Sequence, residues 1–274
     1  MRIDRSWILI GLVIFLVIVS VSIGRREEPL SYQPTATAEP TATNEPSTVA
    51  TEAYPPANPY LPEHFYTENG FLRYETAPHL VGMDVSEYQQ NIDWQAVADS
   101  GIEFVIIRAG FRGSSVGSLH EDEQFRYYLE NAKEAGLQVG VYFFSQALNP
   151  EEAEEEANYA CDLLDGAALD LPLFFDWEYL DGRLGAIDTA NLTNCAIRFC
   201  QTVEARGYQG GVYFNQTYGK YYFDLRALQE YTLWLAEYNP TPGLPYAFDC
   251  LQYTDAGTVP GVAGPVDLDI LWLP

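Results

Sequence analysis

Five short apolar runs, at 80–85, 104–108, 139–144, 171–178 and 211–214, alternate with the amphipathic stretches DWQAVADSG, EDEQFRYYLENAKEAG, NPEEAEEEANYACDLLDG and DTANLTNCAIRFCQTVEARG. An apolar run too short for a helix, followed by a helical pattern that runs to glycine, reads as one βα unit. Repeating that unit requires parallel strands covered on both faces by crossover helices. After Gly211 the pattern changes: YTLWLAEY, FDCLQYT and VDLDILW follow one another through loops containing Pro and Gly, with little room for helices. The expected fold is therefore α/β, an irregular TIM-like barrel begun by five βα units and closed by three simpler strands.

That architecture gives meaning to LPLFFDWEY at 171–179. Side chains alternate across a strand, so Phe174, Asp176 and Glu178 share one face and Phe175, Trp177 and Tyr179 the other. The acids appear only at the C-terminal end of an otherwise apolar run, which is where β/α barrels build their active sites. A half-wet strand whose carboxylates face solvent is the plainer alternative. The first strand repeats the change, turning polar at Asp84 in HLVGMDVSEYQ, and the last, GPVDLDILW, places Asp267 and Asp269 on one face. Such a gathering of carboxylates suits a hard-cation site or a glycosidase site. No compact Asp/Asn/Gly loop with calcium-ligand spacing accompanies it, so no metal is expected.

The N-terminal region is of a different kind. WILIGLVIFLVIVSVSIG at 7–24 carries no charge, and as a helix it would span about 27 Å, close to the ~30 Å of a bilayer core. It lacks the A-x-A-like site of a cleaved signal, so a single-pass membrane anchor following a short tail at 1–6 is expected, with a secreted form as the alternative. Residues 25–60, with the repeat PTATAEPTATNEP, have too few large apolar side chains to fold and are expected to be an extended linker. At about 3.1 Å per residue it reaches ~90 Å, which implies a distant, extracytoplasmic substrate. Residues 61–79 are then a lead-in and 80–274 the barrel domain.

With 14 basic and 39 acidic residues the net charge is −25, so the chain lacks the Lys/Arg cluster that phosphate binding needs, and a nucleic-acid partner is excluded. The cysteines Cys161, Cys195, Cys200 and Cys250 form no CxxC pair, and only three histidines occur. Disulfides and buried free thiols both remain open for them. No cofactor is expected, and the domain is read as a monomer.

The same residues carry a family resemblance. VGMDVSEYQQNIDWQAVADSGIEFVIIRAG resembles the opening of the glycoside hydrolase family 25 muramidases, a D-V-S-x-x-Q-x-x-I-D-W pattern followed by an F-V-I-I-R-A strand. NAKEAGLQVGVYFFS, LPLFFDWEY, LWLAEY and LQYTDAGTVPGVAGPVDLDILW resemble, in family order, its G-x-Y, D-x-E, W-x-A-x-Y and closing Q-Y-T and V-D segments. The resemblance covers about 80–272. It implies a flattened β/α barrel and cleavage of the β-1,4 bond between N-acetylmuramic acid and N-acetylglucosamine in peptidoglycan glycan strands. It places Glu178 on the family's general acid, and Asp176, Asp84 and Asp267 on its other active-site carboxylates. Gln90 stands where many members have Gly, Phe143 where many have His, and Asp269 where Asn is frequent.

Breaking a glycosidic bond needs a proton for the leaving oxygen and negative charge near the developing oxocarbenium ion. Glu178, with Asp176 two residues away and Phe174 below, is the residue whose pKa such neighbours would raise. Carboxylates two apart on one strand have Cα atoms about 6.6 Å apart, which leaves inverting, retaining and substrate-assisted routes open. For sugar binding, Tyr142, Trp234, Tyr238 and Tyr253 are candidate platforms, Gln252 a candidate acetamido partner and Asp269 a further contact. A chitinase-like barrel would instead show a D-x-x-D-x-D-x-E run, absent before Asp176. A non-catalytic wall-binding domain would be marked by loss of Glu178 or Asp176.

Overall fold

The computed structural model describes residues 55–180, 188–239 and 241–274. The expected anchor at 7–24 and nearly all of the linker at 25–60 lie outside the described residues. Among the described residues no helix is long and apolar enough to cross a membrane.

A two-stranded antiparallel hairpin, β1 (Phe65–Glu68) and β2 (Phe71–Tyr74), precedes the barrel. The barrel then runs β3 (His79–Val85), α1 (Trp94–Asp99), β4 (Phe104–Arg112), β5 (Leu119–Glu121), α2 (Phe125–Glu134), β6 (Gln138–Ser145), α3 (Pro150–Leu164), β7 (Leu173–Trp177), α4 (Thr189–Ala205), β8 (Gly210–Asn215), α5 (Gln216–Tyr221), β9 (Thr232–Ala236), β10 (Cys250–Gly257) and β11 (Val266–Trp272). Eight strands close in the order β3-β11-β10-β9-β8-β7-β6-β4, with β4 pairing back onto β3 and β5 on the outer edge of β4. Seven of them are parallel and β11 is antiparallel to both neighbours. The five βα units and three simpler closing strands are as the sequence pattern predicts. The hairpin and β5 are too short to show a period, and α5, as short as α1 but without a glycine stop after it, was not legible either.

Local chemistry sets the helix limits. Asp93, Asn149 and Asp188 are N-caps whose side chains accept from Ala96 N, Glu152 N and Asn191 N, satisfying otherwise orphaned donors. Past the ends of α2 and α4, Gly136 and Gly207 take φ of 83° and 91°, the left-handed conformation that closes a helix without a Cβ penalty.

Alternation along each strand divides the core in two. Phe175, Trp177, Val139 and Val212 point outward against the helices. Phe104, Ile106, Phe174, Tyr213, Trp234 and Cys250 fill the barrel interior. The interior is packed by setting large against small across adjacent strands: Gly82 faces Phe104 and Gly211 faces Phe174. A Cβ at either glycine would lie 2.4 Å from the facing ring. All four cysteines are free and buried.

The folded domain starts earlier than the lead-in boundary at 61 implies. Asn58 Nδ2 donates to Leu244 O at 3.1 Å, and Tyr60 stacks on Trp272 with ring centroids 3.8 Å apart. The end of the Pro-rich segment is thus held by Asn58, by Tyr60 and by backbone bonds from 56–58 to 245–247, none of which its composition shows.

Candidate active site

The C-terminal ends of the parallel strands form one mouth. Asp84 comes from β3, Tyr142 from β6, Asp176 from β7, Tyr213 from β8 and Trp234 from β9, with Glu178 one residue past β7. Because β11 runs antiparallel, its beginning reaches the same mouth, and Asp267 sits directly opposite Asp84 in the ladder. Asp84, Asp176, Glu178, Asp267, Tyr142, Trp234, Tyr238 and Gln252 all line this cavity, as their strand positions predict.

Two expectations are corrected. Tyr253 lies on the outer face, where its hydroxyl accepts from Leu72 N of the hairpin at 3.2 Å. Its neighbour Gln252 points inward, so alternation sends Tyr253 out. Asp269 shares the face of Asp267 but is fully buried one layer below the mouth, accepting from Trp234 Nε1 at 2.8 Å. It supports the cavity floor and cannot touch a sugar.

Gln252 is a hub. Its Oε1 accepts from Tyr213 Oη at 3.1 Å and Tyr238 Oη at 2.8 Å, and its Nε2 donates to Asp84 Oδ2 at 2.6 Å. Tyr142 meets Trp234 edge-on at 6.1 Å, and Tyr238 is half exposed at the rim. The wall therefore combines ring faces with hydroxyls already oriented by one amide.

The electrostatics divide the acids. Burial, then the charges of Asp267 and Asp269, push Asp84 well above the usual carboxylate range against the pull of Gln252. Burial, Asp255 and Glu178 push Asp267 up to about 7. Glu178, partly exposed at the rim, is raised by burial. Asp176 is raised by burial and by Glu178, and Arg108 opposes the rise. A carboxyl cluster so crowded retains protons that isolated carboxylates would lose.

Arg108, midway along β4, and Tyr213 on β8 are residues of the mouth that sequence reasoning missed, and Arg108 adds a charge. It is the one cation lining the mouth among the described residues, held by Asp122 Oδ2 at 2.7 Å and by Glu87 Oε1 at 3.1 Å. Its guanidinium also lies over the Tyr88 ring at 5.2 Å. The signal was an Arg inside an apolar run, FVIIRAGF, which needs buried acids nearby. Phe143, a departure from the family pattern, points away from the mouth into the outer core against Tyr159.

Clustered carboxyls at the strand ends of a β/α barrel, walled by aromatic rings, place the chain among the barrel glycoside hydrolases. The model of the glycosyl hydrolases family 25 matches residues 83–262, and the chain belongs to that family. The autolytic lysozyme of Clostridium acetobutylicum is 30% identical over 191 residues, covering 69% of this chain and 54% of that protein. The chain thus spans about half the length of that curated relative. The family 25 glycosyl hydrolase of Bacillus anthracis has a similar fold, with a TM-score of 0.62 at 20% identity over 76% of this chain and 95% of that one. So has the modular autolysin LytC of Streptococcus pneumoniae, solved with a synthetic peptidoglycan ligand, with a TM-score of 0.64 at 24% identity over 76% of this chain and 52% of that one.

Proposed function

We propose that the protein hydrolyses the β-1,4 bond between N-acetylmuramic acid and N-acetylglucosamine in peptidoglycan, with Glu178 as general acid. The observation that carries this is the gathering of Asp84, Asp176, Glu178 and Asp267 at one aromatic-walled mouth in a family 25 chain. Glu178 stands outermost on β7's inward face, where a raised pKa keeps a proton available for the glycosidic oxygen. As that oxygen takes the proton and the C1–O bond breaks, the acetamido carbonyl oxygen of the muramic residue closes on C1. Asp176, beside Arg108 and with Oδ1 lacking a donor, orients the acetamido N–H and stabilises the cationic ring. Water then opens the ring, giving its proton to the Glu178 carboxylate. Asp84 and Asp267 position sugar hydroxyls.

The uncharged run at 7–24 and the Pro/Thr linker support a cell-membrane anchor with the catalytic domain outside the cell. Replacing Glu178 with Gln keeps the shape and removes the proton. Peptidoglycan turnover by the Glu178→Gln variant is expected to fall by about 10² or more, the scale of general-acid catalysis. Near-normal turnover with an unchanged unfolding transition would sink the assignment.

A further inference from the structure

Glu178 lies one residue beyond the last residue of β7, and Tyr179 and Leu180 after it are exposed. A general acid in that place lacks the sheet ladder that fixes Asp176, yet its carboxyl must be held to within a fraction of an ångström. Among the described residues its carbonyl is held by the side chain of Gln146, the first residue past β6. The Gln146 amide is fully buried and bridges the two strand ends, Nε2 donating to Glu178 O at 2.7 Å and to Ser145 O at 2.8 Å.

Gln146 is itself anchored from below. Its backbone N donates to Glu156 Oε1 at 3.3 Å, and Ser145 Oγ donates to Glu156 Oε2 at 2.5 Å. Glu156, on α3, is wholly buried and pairs with Arg112 Nε at 2.7 Å. Arg112 in turn donates to Gly117 O at 2.7 Å and Glu152 O at 3.0 Å. Trp177 Nε1 closes the bracket by donating to Ala147 O at 3.1 Å. A buried ion pair costs desolvation and stabilises weakly in itself. Its value here is geometric, because it fixes the turn that carries Gln146.

We propose that Gln146 is a positioning residue for the general acid, and that the Arg112–Glu156–Ser145 bracket exists to aim it. This rests on the reading of Glu178 given above. The role makes a specific demand. Loss of Gln146 must impair reactions in which the leaving oxygen needs a proton, and spare those in which it does not.

The test uses the full chain in detergent and compares kcat/KM on peptidoglycan with kcat/KM on a 4-nitrophenyl glycoside of the N-acetylglucosaminyl-N-acetylmuramyl disaccharide, whose phenolate leaves unprotonated. Gln146→Met keeps the volume and removes the donor. It is expected to lose about 10- to 100-fold on peptidoglycan, the scale of a catalytic group displaced by up to 1 Å, and less than threefold on the aryl glycoside. Gln146→Asn, too short to span both strand ends but able to satisfy Ser145 O, is expected to show the same split if the Met variant does not fold. Equal losses on the two substrates, or no loss on peptidoglycan, overturn the positioning role while Glu178→Gln keeps its own split. A Glu178→Gln variant that shows no split overturns the acid assignment, and the positioning role with it.

Discussion

At the scale of single residues, the buried carboxyl beneath the mouth makes the sharpest prediction. Asp269 is raised well above the usual carboxylate range by burial, against the pull of the Trp234 hydrogen bond, and its Oδ2 has no hydrogen-bond partner among the described residues. A carboxyl whose folded pKa exceeds its unfolded value holds a proton in the fold that the unfolded chain releases, so stability falls as pH rises from the unfolded value through the folded one. Asp269→Asn keeps an oxygen for Trp234 Nε1 and supplies an N–H for Asp84. The variant is expected to match the parent near pH 3.5 and to exceed it at pH 7 by about 1 kcal/mol or more, the scale of a raise of one pKa unit. Denaturant unfolding at both pH values reads this, and a variant less stable at pH 7 would contradict it. That Asp84, Asp176, Glu178 and Asp267 share one mouth was legible because each lies where an apolar strand sequence turns acidic. The depth of Asp269 was not legible, since a period of two assigns a face and says nothing of the layer. Tyr253 was misplaced against a rule the sequence already supplied, because adjacent Gln252 and Tyr253 cannot both face inward. Gln146 and Arg108 were hidden because their partners, Glu178, Glu156, Asp122 and Glu87, come from other segments that only the fold brings near.

At the scale of elements, helix caps and glycine stops made α1 to α4 readable, while loops carried the surprises. Gln90, in the turn between β3 and α1, has φ 53° and ψ −120°, a backbone conformation suited to glycine, the residue many family members have there. Its carbonyl accepts from the hydroxyl of the buried Tyr128, which ties the strained turn to α2. That bond uses only backbone at position 90, so a glycine would retain it. Gln90→Gly is expected to stabilise the domain by about 1 kcal/mol, the middle of the range left when the glycine's extra unfolded entropy, ~0.4–1 kcal/mol, is subtracted from a backbone strain of ~1–3 kcal/mol. A higher denaturation midpoint with unchanged slope is the expected outcome. A lower midpoint would show that the Gln90 side chain contributes more than its backbone costs.

At the scale of the whole molecule, the barrel order follows from the βα pattern, and the antiparallel β11 is what brings Asp267 to the mouth beside Asp84. The sequence foretold that strand but not its direction, which apolar periodicity does not encode. If the 7–24 run anchors the chain and the Pro/Thr segment is a tether, protease added to intact cells should release an active soluble domain by cutting between about residues 27 and 54. A chain cut only after lysis would contradict an external domain. The central claim, however, concerns one bond. Purified peptidoglycan digested by the full chain, reduced with borohydride and analysed by mass spectrometry, is expected to yield new muramitol ends, and none above background with Glu178→Gln. New glucosaminitol ends, or equal release by the two proteins, would contradict the account.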